Sequence, residues 1–321
     1  MTSAAVIVPA WNAARALRRS LPPLLASGLP VLLIDDGSDD GAADLGRALG
    51  AAVHRVPRGG PAAARNHGAR LTTADILVFV DADVVVHEGA LEMLRDAIVG
   101  PTVAAFGSYD DRPAASGLGS RWKNLQHHHV HQRAGGEAST FWSGLGAVRR
   151  DAFQQVGGFD VGSFPRPSIE DIDLGYRLRA RGGRILCRPE ARGTHLKRWT
   201  VPSVLATDLV RRAIPWARRL AHPQARADLN VSWAERARAV LAVGSALSLP
   251  LAVTPAAPIT LLTLAAAAAA NARLLALYAR REGIPFAVAS HLLLQAWYLI
   301  AIAGWLAGRA RPIRPSPAPT P

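Results

Sequence analysis

The chain offers almost no sulfur chemistry. Cys187 is its only cysteine, which excludes an intramolecular disulfide and suits a reducing compartment. It reads as a small buried apolar residue near a strand. Lysine is nearly as scarce: Lys123 and Lys197 stand against 35 arginines, and the net charge is +13. Alanine is abundant as well, so part of this balance is compositional bias. No Gly-x-Gly-x-x-Gly follows the first apolar run and no Walker lysine signature occurs, so dinucleotide and P-loop readings lose their main support. An EF-hand opening at Asp36 fails because its twelfth position is Arg47, not a glutamate. The start, Met1 to Ala5, has no basic region or cleavable apolar stretch, so no secretory leader is visible.

What is present begins with Asp81-Ala82-Asp83, set at the end of the apolar run Ile76-Leu77-Val78-Phe79-Val80. Such a run reads as a buried strand. Two carboxylates leave its carboxyl end, where open α/β sheets bind their ligands. Hard oxygen donors suit Mg²⁺ or Mn²⁺, which need only one or two carboxylates when substrate phosphates complete the shell. A solvated turn is the plain alternative. The segments before it repeat the layout. Ala5 to Val8 is a strand stopped by Pro9, and Val31 to Ile34 is another that runs into Asp35-Asp36-Gly37-Ser38. Helical spacing over Ala14 to Leu25 separates them. A short helix over Ala42 to Leu49, a strand over Ala51 to Val56, and a helix from Pro61 to about Leu71 follow. A further helix is expected over Glu88 to Ile98. Alternating strands and helices argue for an α/β fold with a mostly parallel sheet covered on both faces.

The ordered motifs resemble the family 2 glycosyltransferases of GT-A fold. They are Val6-Ile7-Val8-Pro9-Ala10-Trp11-Asn12, Ile34 to Ser38, Gly60 to Asn66, and Val80 to Asp83. Gly144 to Arg150, Gly157 to Asp160, and Glu170-Asp171-Ile172-Asp173-Leu174 complete the set, which covers about Ser3 to Trp199. The resemblance implies a nucleotide-diphospho-sugar donor and a divalent metal. It implies that Pro9, Ala10, Asn12 and Asp36 line the donor pocket, and that Arg65 meets the base or diphosphate. Asp81 would reach the ribose and Asp83 the metal, while Asp171 would be the general base. His195 matches a histidine that touches the metal or diphosphate in related enzymes. Trp142, Gly144, Glu170 and Trp199 fall on the acceptor side. Phe141 to Gly146 is either an acceptor platform or ordinary aromatic core. Arg198-Trp199 matches the end of a motif in processive polymerising members, but His195 stands where those have glutamine.

The chemistry agrees with these roles. A departing diphosphate needs positive charge where negative charge grows, and the acceptor hydroxyl needs a base within hydrogen-bond reach. Ser168 reads as a helix N-cap with Asp171 three residues later, so capping is the bland role for that acidic cluster. His127-His128-His129 and His131 sit in a basic helical stretch and read as a polar or interfacial helix rather than a metal site.

The boundaries read as a catalytic domain over 1–200 and a basic amphipathic segment over 201–238. Apolar membrane helices follow over 239–308, then a Pro-rich disordered tail over 309–321. In the basic segment, Arg211, Arg212, Arg218, Arg219, Arg226, Arg236 and Arg238 interleave with Leu209, Val210, Ile214 and Trp216, as expected at an anionic membrane surface. A nucleic-acid partner lacks any accompanying recognition fold. Ala239 to Ala272 could be a hairpin of two short helices or one broken span, and Gly283 to Gly308 is long enough to cross. Arg273, Arg280 and Arg281 lie inside with three spans, Arg309, Arg311 and Arg314 with two. The expectation is transfer of a sugar at the cytosolic face of the inner membrane to a lipid or lipid-linked acceptor. A sugar nucleotidyltransferase and a catalytically silent sugar-nucleotide-binding protein are the alternatives.

Overall fold

The structure is a computed structural model that describes residues 2–220 and 232–310. Arg226, Arg311, Arg314 and the segment Pro312 to Pro321 lie outside the described residues. The elements run β1 (Ala4–Ala10), α1 (Ala14–Ala26), β2 (Val31–Asp35), α2 (Ala42–Ala48), β3 (Ala52–Arg55), α3 (Pro61–Arg70) and β4 (Ile76–Val80). Then come β5 (Val84–Val86), α4 (Ala90–Asp96), β6 (Thr102–Tyr109), α5 (Leu118–Arg133), β7 (Gly136–Ala138) and β8 (Leu145–Arg149). The series continues with α6 (Arg150–Gln155), α7 (Glu170–Ala180), β9 (Arg184–His195) and α8 (Val201–Thr207). A π-helical turn over Asp208–Ala213 leads into α9 (Ile214–Leu220), and after it stand α10 (Trp233–Ser248), a 3₁₀ turn (Leu249–Val253), α11 (Ala257–Ala270), α12 (Ala272–Glu282) and α13 (Ile284–Arg309).

The chain forms two compact units. Among the described residues, one contains Thr2–Ala115 and His131–Lys197; the other contains Ser116–Val130, Arg198–Leu220 and residues 232–310. The first unit is built on a nine-stranded sheet in the order β3-β2-β1-β4-β8-β6-β9-β5, with β7 on β9. Its first four strands are parallel, as alternating strands and helices dictate. Beyond β4 the sheet is mixed, because β8 runs antiparallel between β4 and β6 and β5 runs antiparallel to β9. Strand alternation divides the core. Along β1, Val6, Val8 and Ala10 join Leu17, Leu21 and Leu24 of α1, whereas Ile7 joins Ile34 and the Ala62–Ala64 turn of α3.

The helix expected from Glu88 begins later, at Ala90, because Val84-Val85-Val86 is spent on β5 and Gly89 turns the chain at φ 74°. A triplet of β-branched residues favours the pleat. The Val84↔His195 pairing of that short strand sets Asp83 beside the end of β9.

The second unit packs Trp122 and Leu125 of α5 with Val204, Leu274, Tyr278, Phe286 and Leu294, and Trp122 is fully buried. Asp208, in the π-helical turn, is also buried and accepts from Lys123 Nζ at 2.5 Å, Arg212 at 2.6 Å and Trp297 Nε1 at 2.6 Å. Burial works against its ionised form, but Lys123 and Arg212 outweigh burial and hold its pKa down at about 2. Several arginines of the basic segment thus serve the interior: Arg212 pairs with Asp208, Arg238 pairs with Glu235, and Arg219 is buried.

Among the described residues, two helices are long and apolar enough to cross a membrane, Trp233–Val253 and Ile284–Arg309, and the pair α11–α12, bent by 79°, would make a third. Val253, Leu247, Leu262 and Ile284 are among their exposed residues.

Candidate active site

Three strand ends of the first unit carry most of the chemistry. At the end of β1, Pro9 and Ala10 pair in register with Ile34 and Asp35 of β2. Asn12 takes a positive φ of 48°. Its backbone N–H donates to Ser38 Oγ at 2.9 Å, and its side-chain oxygen accepts from the Asp39 N–H at 3.0 Å. Asp36 is buried, with one oxygen accepting from the Gly59 N–H at 2.7 Å and the other from the Gly60 N–H at 2.8 Å. The carboxylate expected at the donor therefore also anchors the loop that enters α3. Trp11 is exposed next to these residues, with the Arg58 guanidinium 3.3 Å over its ring. This stacked pair was not singled out from sequence, although Trp11 sits inside the first motif.

Arg65, on α3, is buried between the two acidic motifs. It donates to Asp81 Oδ1 at 2.6 Å and to Glu170 Oε1 at 3.4 Å, and it lies 5.4 Å from the Phe159 ring. Burial opposes its charge, but Asp81, Glu170 and Asp171 outweigh burial and raise its pKa. Its buried Nε has no hydrogen-bond partner among the described residues. Glu170, expected on the acceptor side, is itself buried and accepts the Ser168 N–H at 2.7 Å through its second oxygen. Asp173 pairs with Arg177 at 2.7 Å. Both of these carboxylates are buried and paired within the fold.

Asp171 is different. It stands in the first turn of α7, whose N-cap is Ile169 and not Ser168. Ser168 lies one residue before that cap, its N–H donating to Glu170. Asp171 accepts from the Ile172 N–H at 2.8 Å, and from Ser143 through the backbone N–H at 3.2 Å and the hydroxyl at 3.4 Å. The approach of α7 to that loop depends on Gly175, where a Cβ would meet the Phe141 nitrogen at 2.4 Å. Burial and then the Glu170 charge push Asp171 up to about 6, against the pull of Arg65 and the two backbone donors. A half-buried carboxylate near neutral pKa suits proton abstraction.

The third group lies where β5 meets β9. Asp83 Oδ2 faces His195 Nε2 at 3.5 Å, and the Asp83 carbonyl accepts from the Leu196 N–H at 2.8 Å. Burial would raise the Asp83 pKa, yet His195 and Lys197 lower it. The Asp83 side chain keeps 31% of its surface exposed. Among the described residues no group of three or more candidate ligands forms. One carboxylate and one imidazole, open on one side, would need further oxygen ligands from substrate or water to hold a divalent cation. The His127 to His129 run belongs to α5, as a helix.

Trp142 packs edge-on to Tyr109 at 4.8 Å and fills the space where a side chain at Gly144 would sit, 2.6 Å from its indole. The Gly144 carbonyl accepts from the Asp81 N–H at 3.1 Å. Trp199 belongs to the second unit, where its N–H donates to Ser120 Oγ at 2.8 Å. The structure thus joins Asp81, Arg65 and Glu170 through hydrogen bonds, sets Asp171 within the electrostatic reach of Arg65 and Glu170, and places Asp83 beside His195.

Residues 5–157 match the family described as glycosyl transferase family 2. The pre-mycofactocin glycosyltransferase of Mycobacterium tuberculosis is 32% identical over 215 residues, covering 59% of this chain and 42% of that relative. The validoxylamine A glucosyltransferase of Streptomyces hygroscopicus is 28% identical over 223 residues, covering 55% and 51%. The chain thus spans about half the length of these relatives. In fold, it resembles the mannosyltransferase PcManGT from Pyrobaculum calidifontis, solved with GDP-Man and Mn²⁺. The TM-score is 0.58 at 22% identity, over 94% of this chain and 86% of that one. The match therefore identifies a glycosyl transferase family 2 region over residues 5–157, from β1 to α6 with the strand-end carboxylates Asp36, Asp81 and Asp83, on an architecture that is GT-A-like.

Proposed function

We propose that the protein transfers a glycosyl unit from a nucleotide-diphospho-sugar to a hydroxyl of a membrane-associated acceptor, lipid or lipid-linked, with inversion. The observation that carries this is Arg65, buried between Asp81 on the donor side and Glu170, next to the base. It ties the two halves of a displacement to one cation. Asp171 takes the acceptor proton as the hydroxyl oxygen attacks the anomeric carbon, and the sugar–phosphate bond breaks with its electron pair leaving on the diphosphate. Pro9, Ala10, Asn12 and Asp36 border the donor pocket. Asp83 and His195 would hold Mg²⁺ or Mn²⁺, which supplies positive charge to the departing diphosphate when bound. The apolar helices after residue 232 support a membrane location and an acceptor that arrives from the bilayer, with the catalytic residues on the cytosolic side.

The test is to incubate membranes containing the protein with a panel of labelled nucleotide sugars and to follow label into extracted lipid. Label entering lipid with the parent chain but not with Asp171→Asn is the expected result. Label confined to water-soluble products would overturn the lipid acceptor.

A further inference from the structure

The backbone of His195 is fixed on two sides. The Val84↔His195 pairing and the Leu196 N–H on the Asp83 carbonyl hold one edge of the strand. The preceding residue, Thr194, donates its hydroxyl to Asp110, whose other oxygen accepts the Arg112 N–H at 3.1 Å. His87 Nε2 lies 3.2 Å from Asp110. None of this fixes the imidazole plane. A metal-binding histidine is ordinarily oriented by a hydrogen bond on its non-ligating ring nitrogen. Among the described residues, none reaches His195 Nδ1. The ring is gripped by its face instead. The Tyr109 phenol lies parallel to it, at 9° and 4.2 Å between centroids. Tyr109 is itself 8% exposed. Its far side is packed in turn: Trp142 meets it edge-on at 85°, and His131, whose ring nitrogen Nδ1 donates to the Gly107 carbonyl at 2.9 Å, meets Trp142 at 5.2 Å.

We propose that Tyr109 is the positioning residue of the metal site, its ring holding the His195 imidazole so that Nε2 faces the Asp83 carboxylate. This rests on reading Asp83 and His195 as metal ligands. Stacking needs a flat ring and not a hydroxyl, so phenylalanine should replace tyrosine and an aliphatic side chain should not.

The full chain in detergent is titrated with Mn²⁺ by calorimetry, in the presence of UDP in one arm and GDP in another. Imidazole-nitrogen couplings are read from the Mn²⁺ paramagnetic resonance. Tyr109→Phe should match the parent in both readouts. Tyr109→Leu and Tyr109→Met should weaken Mn²⁺ about 10-fold, the usual scale for an orienting partner, and lose the nitrogen couplings. Parental affinity and couplings in either folded aliphatic variant overturn the role of Tyr109. Should neither fold, the His195 ring protons of the parent decide: stacking shifts them upfield, and their absence from that region overturns the proposal. His195→Gln separates the two readings. If it weakens Mn²⁺ while Tyr109→Leu does not, only Tyr109 fails; if it changes nothing, the metal site fails with it.

Discussion

A base that deprotonates an alcohol must be ionised at working pH and still want a proton. Asp171 meets both demands because burial and the neighbouring Glu170 charge bring it to about 6. Its ionised form grows as pH rises through that value, so turnover should fall on the acid side with a single-proton limb near 6. A kcat profile flat down to pH 5 would remove Asp171 from the role. Asp171→Asn is expected to keep donor binding and to lower kcat by roughly two to four orders of magnitude, the range of a positioned base; stopped-time transfer assays with matched donor titrations check both halves. Asp83→Asn should keep the fold by circular dichroism yet lose Mn²⁺-dependent donor affinity in calorimetry. These carboxylates were legible in the sequence because a strand end and a short acidic motif announce them locally. Their partners were not. Ser143 reaches Asp171 across 28 positions and Arg65 reaches Glu170 across 105, and nothing local marks such pairs.

Elements set these distances, and two of them have sharp tolerances. Gly175 lets α7 touch the Thr140–Phe141 backbone, so Gly175→Ala must push the helix away and loosen the Ser143–Asp171 contact. The expected signature is a lower kcat with donor KM nearly unchanged. Unchanged kcat in a folded Gly175→Ala would show that α7 has room to spare. In the second unit, Asp208 gathers Lys123, Arg212 and Trp297. Asp208→Asn leaves buried positive charge uncompensated and should cost about 3 kcal/mol in thermal unfolding, since breaking a buried pair is more expensive than never having made it. Because the Asp208 pKa is depressed, its contribution is present above the ordinary carboxylate range and fades as pH falls towards about 2. The parallel half of the sheet was legible because each strand is followed by its helix. The β5–β9 pairing was not, since β5 has three residues and its partner lies over a hundred positions away.

For the whole molecule, apolar patterning marked the helices after residue 232 without revealing that Ser116–Val130 belongs with them. A helix of mixed polarity such as α5 carries no periodic stripe to advertise its partners. The full chain is expected to stay with membranes through an alkaline carbonate wash, and recovery in the supernatant would overturn its anchoring. Cutting the chain at residue 200 removes Val204, Leu274 and Tyr278 from around Trp122 and Leu125. That fragment should self-associate in size-exclusion chromatography, whereas the same fragment carrying Trp122→Gln and Leu125→Gln should run as a monomer and still bind Mn²⁺ with nucleotide.

The split membership of α5 also has a consequence in time. Trp122 leaves the ribosome 156 residues ahead of Tyr278, whose hydroxyl donates to its carbonyl in the finished protein. At ordinary elongation rates that is a wait of roughly 8–30 s, during which a tryptophan destined for complete burial has none of its partners from α12 and α13. The nascent chain therefore carries this tryptophan without those partners until its last helices have been made.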